Sequence, residues 1–150
     1  MVEVIIRTAQ KNDLSAILEL YAQPEIDDGK ILPLTKAEHL FERINAYPDY
    51  KIYAAVDKNE FIVGSFALLI MDNLGHLGAP SGIIEDVVVK PSLQGKSIGK
   101  QMLQHAIEIC KEKQCYKLAL SANLKRQSAH YFYQSLGFKQ HGISFLIEFD

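Results

Sequence analysis

The sequence predicts a single α/β domain, and three observations carry that expectation. β-Branched runs alternate with helical stripes along the whole of its 150 residues. The length suits one compact unit with a core of its own. No linker, internal repeat or low-complexity stretch interrupts the pattern.

Val2-Glu3-Val4-Ile5-Ile6-Arg7 reads as a first strand. Leu14, Ile17, Leu18 and Tyr21 then follow a helical stripe that Asn12 or Asp13 could cap. Pro24 to Pro33 reads as a loop. Thr35, with Glu38 three residues on, has the form of a capping box for a second helix running to about Ala46. Lys51 to Val56 and Phe61 to Met71 are expected strands joined at Asp57-Lys58-Asn59-Glu60. Asp72 to Ser81 is a polar loop, and Ile83 to Val89 is the clearest strand, ended by Pro91.

Ile98, Met102, Leu103, Ala106, Ile107 and Cys110 recur at three- and four-residue steps and predict a helix to about Lys113. A strand over Tyr116 to Ser121 and a helix over Ser128 to Leu136, with Gly137 as its C′ residue, come next. Phe138 to Phe149 would supply one or two final strands.

Composition excludes several function classes. With 48% hydrophobic and 23% charged residues, the chain is neither disordered nor fibrous. A net charge of −2 and the lack of a basic stripe argue against nucleic acid as a partner. The longest apolar run, Phe61 to Met71, is too short to cross a bilayer, and the N-terminus shows no signal pattern, so a cytoplasmic location is expected. Cys110 and Cys115 fit neither a zinc site nor a redox C-x-x-C, and the histidines lack metal-ligand spacing. No metal is expected.

The segment that carries chemistry is Glu85-Asp86-Val87-Val88-Val89-Lys90-Pro91-Ser92-Leu93-Gln94-Gly95-Lys96-Ser97-Ile98-Gly99-Lys100. A strand feeding a glycine-containing turn and then a helix leaves unpaired N–H groups and a helix dipole for an anion. A P-loop would need a glycine where Lys90 stands, and the dinucleotide fingerprint G-x-G-x-x-G is absent.

Gln94-Gly95-Lys96-Ser97-Ile98-Gly99 resembles the R/Q-x-x-G-x-G/A acetyl-CoA motif of the GNAT superfamily of N-acetyltransferases. Downstream, Ala129-His130-Tyr131-Phe132-Tyr133-Gln134-Ser135-Leu136-Gly137-Phe138 resembles the closing A-x-x-F-Y-x-x-x-G-F signature of that superfamily. The resemblance covers essentially the whole chain. It implies one domain over residues 1–150, a mixed central sheet of six to seven strands splayed in the middle, and four flanking helices. It also implies acetyl-CoA as cosubstrate and a small primary amine as acceptor.

By that resemblance, the main chain of Val87, Val88 and Val89 holds the pantetheine arm. The N–H groups of Gln94, Gly95, Lys96, Ser97, Ile98, Gly99 and Lys100 hold the pyrophosphate, and Asn123 lies near the arm or the sulfur. Ser97 stands where most members have glycine; it keeps its N–H, so its side chain is expected to point away from the ligand. Tyr133 is the expected acid for the departing thiolate, since a phenol of pKa about 10 lies near a thiol at about 8.5. Glu85 is the leading base for the attacking ammonium, with Asp86 behind it. Glu85 is expected to share a strand face with Ile83, Val87 and Val89. Glu25, Asp27 and Asp28 would attract a cationic amine, and Arg126 an anionic group on the acceptor.

Short segments are similar to two groups within the superfamily. Glu85 to Val89 and Cys115-Tyr116-Lys117 resemble glucosamine-6-phosphate N-acetyltransferases. Leu120 to Arg126, leading to Ala129-His130, resembles aminoalkylphosphonate N-acetyltransferases. Both point to a small amine bearing a phosphate or phosphonate, attacked directly in a ternary complex, since no cysteine takes an evident nucleophile position. A protein lysine or N-terminal acetyltransferase and a non-catalytic coenzyme A-binding regulator remain the alternatives. A homodimer is left open, because a terminal strand can pair or swap between subunits.

Overall fold

The computed structural model describes residues 1–122 and 125–149, which fall into two compact units, Met1–Ala119 and a second from Leu120 onward. The first unit runs β1 (Ile5–Thr8), α1 (Leu14–Tyr21), α2 (Leu34–Asn45), β2 (Tyr50–Val56), β3 (Ile62–Met71), β4 (Ser81–Val89), α3 (Ile98–Glu112) and β5 (Lys117–Ala119). The second contains α4 (Gln127–Ser135).

The sheet is mixed, with strand order β1-β2-β3-β4-β5. The first four strands pair antiparallel, and β5 joins β4 in parallel. That last ladder is short: Ser81, Gly82 and Ile83 face Lys117, Leu118 and Ala119, and Ile84–Val89 have no partner on β5. The sheet therefore opens on that side of β4.

Helices α1 and α3 cover opposite faces of β3. A side chain at Gly64 would run into Met102 and Ile98 of α3, whereas the next residue, Ser65, lies against Tyr21 of α1. Between them lies the core, with Phe66, Leu68, Ile84, Ile17, Ile98, Met102 and Leu103 almost fully buried.

The expected count of six to seven strands is not met; the described residues form five. Residues 138–149 are written in an alternating apolar pattern yet make no ladder, and Ile143, Phe145, Leu146, Ile147 and Phe149 are 76–93% exposed. Such a pattern reports fitness for a pleated, half-buried surface; it does not supply the neighbouring edge that a strand requires. The Thr35/Glu38 capping box does not form either. Helix α2 starts after Pro33 without a side-chain cap, and Glu38 instead pairs with Lys11 at 3.0 Å. Asp13, expected as a cap, accepts from the Arg7 guanidinium at 2.6 and 3.0 Å and from the Gln10 N–H at 2.7 Å. Those bonds hold its carboxyl below the usual range and fasten β1 to the start of α1.

Candidate functional site

The centre of the site is the free side of β4. Antiparallel pairing alternates, so the main chain of successive residues points to β3 and then away from it. Lys90 donates its N–H to Val63 at 2.8 Å, which makes Gly64 and Val89 a non-hydrogen-bonded pair. The N–H and C=O of Val89 therefore face away from β3. This is the side that β5 has left. Val88 is tied to Ser65 of β3, and its side chain is buried.

The strand carries a bulge. Ala67 faces Glu85 and Ser65 faces Val88, so Asp86 and Val87 together oppose Phe66, and Asp86 takes φ 53°. An inserted residue flips the parity of everything after it. Glu85 consequently shares a face with Ile83, as expected, but beyond the bulge with Val88 instead of Val87 and Val89. Strict alternation is the wrong rule where a strand holds an extra residue, and nothing in the run Ile83 to Val89 announces one.

Asp86 lies within electrostatic reach of residues from three other segments. Burial, followed by the charge of Asp27, raises its carboxyl above the ordinary value. Tyr21, at the end of α1, is raised by burial and by Asp86, with the Ser65 hydroxyl pulling the other way. Tyr50, at the start of β2, is raised by burial and by Asp86 and Glu85, and its ring meets Tyr47 at 5.5 Å. Asp86 and Glu85 both remain open to solvent. No cation contributes to the shift of Asp86, Tyr21 or Tyr50.

Asp27 belongs to the turn after α1, where Ile26 and Asp28 donate to the Gln23 carbonyl at 3.1 Å each and Asp27 donates to that of Tyr21 at 2.9 Å. The three loop carboxylates therefore divide. Asp27 comes near Asp86, while Glu25 and Asp28 are exposed residues of the same turn with no partner of their own among the described residues. Tyr21, Gln23 and Tyr50 were not singled out by the sequence; Tyr21 reads there as one more residue of an apolar stripe.

After β4, Lys90–Ser97 form a tight connection into α3. Gly95 (φ 76°) and Ser97 (φ 70°) both take the left-handed conformation, with Lys96 between them. Among the described residues, the N–H groups of Gly95, Lys96 and Ser97 have no acceptor, and those of Ile98, Gly99 and Lys100 form the first turn of α3, where helical N–H groups are free. Gln101 fixes this turn from behind. Its amide donates to Val2 at 2.7 Å and to Ser97 at 3.1 Å, and its Oε1 accepts from the Val4 N–H at 3.1 Å. The result is a concave row of donors at the positive end of a helix, the arrangement that suits a phosphate.

Ser97 now has a reason to look unusual. A left-handed φ costs a serine about 1–2 kcal/mol, and glycine nothing. Replacing Ser97 by Gly removes that strain but adds freedom to the unfolded chain, so stability should rise by no more than about 1 kcal/mol. Acetyl-CoA affinity, read by calorimetry, should hold or tighten. A large loss would make the serine hydroxyl itself a ligand.

In the second unit, α4 carries Tyr133 and ends in a cap that its sequence specifies. Phe138 donates to the Tyr133 carbonyl at 3.1 Å, Gly137 (φ 95°) to that of Gln134 at 3.0 Å, and the ring of Phe138 meets that of Tyr133 edge-on at 6.0 Å. This is a Schellman closure with its apolar clasp, which fixes the ring that the F-Y-x-x-x-G-F run contains. Burial raises the Tyr133 phenol, and Arg126, immediately before α4, pulls it down. Tyr133 is therefore a protonated donor at neutral pH. Asn123 lies outside the described residues. Among those described, no group of three or more His, Cys, Asp or Glu could hold a metal, and no helix is long and apolar enough to cross a membrane.

Comparison with known proteins supplies the family. Residues 14–138 match the profile of the acetyltransferase (GNAT) family. The chain is 33% identical to a glucosamine 6-phosphate N-acetyltransferase of Trypanosoma brucei brucei, over 94% of this chain and 92% of that one. It is 35% identical to the aminoalkylphosphonate N-acetyltransferase of Salmonella typhimurium, over 59% of this chain and 56% of the relative. Among solved structures it resembles the glucosamine-6-phosphate N-acetyltransferase of Arabidopsis thaliana, at 25% identity and TM-score 0.87, covering 99% of each chain. A five-stranded mixed sheet opened beside β4, a donor-lined turn into α3 and a capped F-Y helix are thus found on a chain that belongs to the acetyltransferase (GNAT) family, a family of acyltransferases.

Proposed function

We propose that this protein transfers an acetyl group from acetyl-CoA to a small primary amine bearing a phosphate or phosphonate. The observation that carries the reading is the full-length relationship to a glucosamine 6-phosphate N-acetyltransferase, together with a free β4 edge leading into a donor-lined turn. On this reading, Val87 and Val89 receive the pantetheine arm as an added strand would be received. The N–H groups from Gly95 to Lys100 hold the pyrophosphate, with Lys96 and Lys100 adding charge; that of Gln94 is not among them, because it donates to the Pro91 carbonyl at 3.3 Å. Asn123 remains a candidate for the sulfur end.

Asp86 is the group we assign as general base, in preference to Glu85. An amine nucleophile must lose a proton before attack, and a base works best with a pKa lifted toward the working pH. Asp86 has that lift and lies within electrostatic reach of Tyr21, Tyr50 and Asp27. Tyr133 gives its proton to the departing thiolate. The transfer is direct: the amine nitrogen bonds to the acetyl carbon, the C–S bond breaks, and the sulfur takes the phenolic proton. Glu25, Asp27 and Asp28 draw in the ammonium, and Arg126 meets the anionic group. We take residues 1–150 as one catalytic domain, a reading supported by the family match running across the junction near residue 119.

The acceptor reading is tested by kcat/KM for glucosamine 6-phosphate against glucosamine. A preference of at least about tenfold for the phosphorylated amine is expected, the scale of one charge-assisted contact. Equal values would remove the phosphate from the reading. A preference for a lysine or N-terminal peptide would favour the protein-acetylating alternative.

A further inference from the structure

One contact of the β4 edge belongs to no role assigned so far. The Val89 carbonyl, which faces the opening left by β5, accepts from the side-chain amide of Gln23 at 3.1 Å, and the Gln94 amide stands 3.5 Å from the same oxygen. Gln23 lies 66 positions away in sequence. It is the residue on which the acidic turn is built, since its main-chain carbonyl accepts from both Ile26 and Asp28 at 3.1 Å. Gln23 therefore joins the turn that carries Asp27 to an acceptor on the cosubstrate's edge.

We propose that Gln23 is a positioning residue that couples the two substrate sites. In the free protein its amide occupies the Val89 carbonyl, and the amide N–H of an arriving pantetheine arm takes its place. The chemistry of the exchange is like for like: one primary carboxamide donor is replaced by one secondary amide donor on the same C=O. The strand edge stays satisfied before and after, and neither state leaves a polar group orphaned. The released side chain no longer ties the Gln23–Gly29 turn to β4, so the turn and Asp27 are free to settle on the amine after acetyl-CoA has bound. Binding order follows from the contact, with acetyl-CoA first and the amine second. The inference rests on the reading that acetyl-CoA lies along Val87 and Val89.

The test uses Gln23→Met, which keeps length and volume but cannot donate, and Gln23→Asn, which can donate but is too short to reach. Acetyl-CoA binding is measured by calorimetry, and the order of addition from product-inhibition patterns with the acceptor amine. Both variants should bind acetyl-CoA about three- to tenfold tighter than wild type, the range of one net hydrogen bond no longer to be displaced. At saturating acetyl-CoA, where the tie is already displaced in wild type, both should keep the amine KM and kcat near wild type, and ordered addition should become random. General damage to the fold does not tighten a ligand, so the gain in affinity separates coupling from a merely structural role. Unchanged or weaker acetyl-CoA binding in both variants, with wild-type binding intact, would overturn the inference. Absence of acetyl-CoA binding in the wild-type protein would overturn the underlying reading instead.

Discussion

Replacing Asp86 by Asn should lower kcat/KM by about 10²–10⁴-fold, the span of a lost general base, and should erase the acidic limb of the pH–rate profile. The fold should not suffer. Asp86 carries a raised carboxyl pKa, so the folded state disfavours its ionised form. Its cost to stability is present above the folded pKa and vanishes below the unfolded one. An amide at this position never ionises, so the melting temperature near neutral pH should rise, and it should lose its dependence on pH across that window. Asparagine also tolerates the left-handed φ of 53° better than most residues. Lower activity with higher stability is the mark of a residue held for chemistry. Glu85→Gln is the control. It should leave the acidic limb in place; if Glu85→Gln erases the limb and Asp86→Asn does not, Glu85 is the base.

Tyr133→Phe carries the second large effect. It removes one hydroxyl, keeps the ring against Phe138, and preserves the closure of α4 by Gly137. Turnover should fall by about 10²-fold, the lower end for loss of a positioned proton donor, while acetyl-CoA affinity stays nearly intact. Because burial keeps this phenol protonated, the wild-type profile should show no loss of acid function near neutral pH. Unchanged turnover in Tyr133→Phe would remove Tyr133 as the acid. A variant in which Gly137 becomes Ala should give a milder loss, since an alanine at φ 95° is strained and loosens the cap that aims the ring.

How far the sequence could be read depended on whether a feature is local. The stripe Ile98, Met102, Leu103, Ala106 and Cys110 emerges as the buried face of α3, because helical periodicity is set by each residue's own neighbours. The Gly137 closure was legible for the same reason. The donor-lined turn was legible in outline from Gly95 and Gly99, although the second left-handed residue of the turn is Ser97. Most of the misses depend on partners far along the chain; the Thr35/Glu38 capping box and the Asp13 cap are local exceptions, since α2 starts directly after Pro33 and Asp13 is engaged by Arg7 and Gln10. The bulge at Asp86 exists only relative to Phe66 on β3, so alternation alone put Glu85 on a face with Val87 and Val89. Tyr50 and Tyr21 join the site because β2 and α1 pack where they do. Gln23 follows a helix and resembles any polar residue leaving one. The terminal apolar alternation was read as strand, yet strand formation requires an edge that those residues do not find among the described ones.

Acetyl transfer from acetyl-CoA to a small amine is the proposed step on which the other assigned roles depend. Release of free thiol from acetyl-CoA, followed against glucosamine 6-phosphate, an aminoalkylphosphonate, a polyamine and a lysine peptide, tests it most directly. Thiol release is expected to require both substrates, to be fastest with a phosphate- or phosphonate-bearing amine, and to be matched by the acetylated product in the mass spectrum. Acetyl-CoA binding without thiol release for any amine would rule out transfer and leave a coenzyme A-binding module; absence of binding would rule out acetyl-CoA as the cosubstrate.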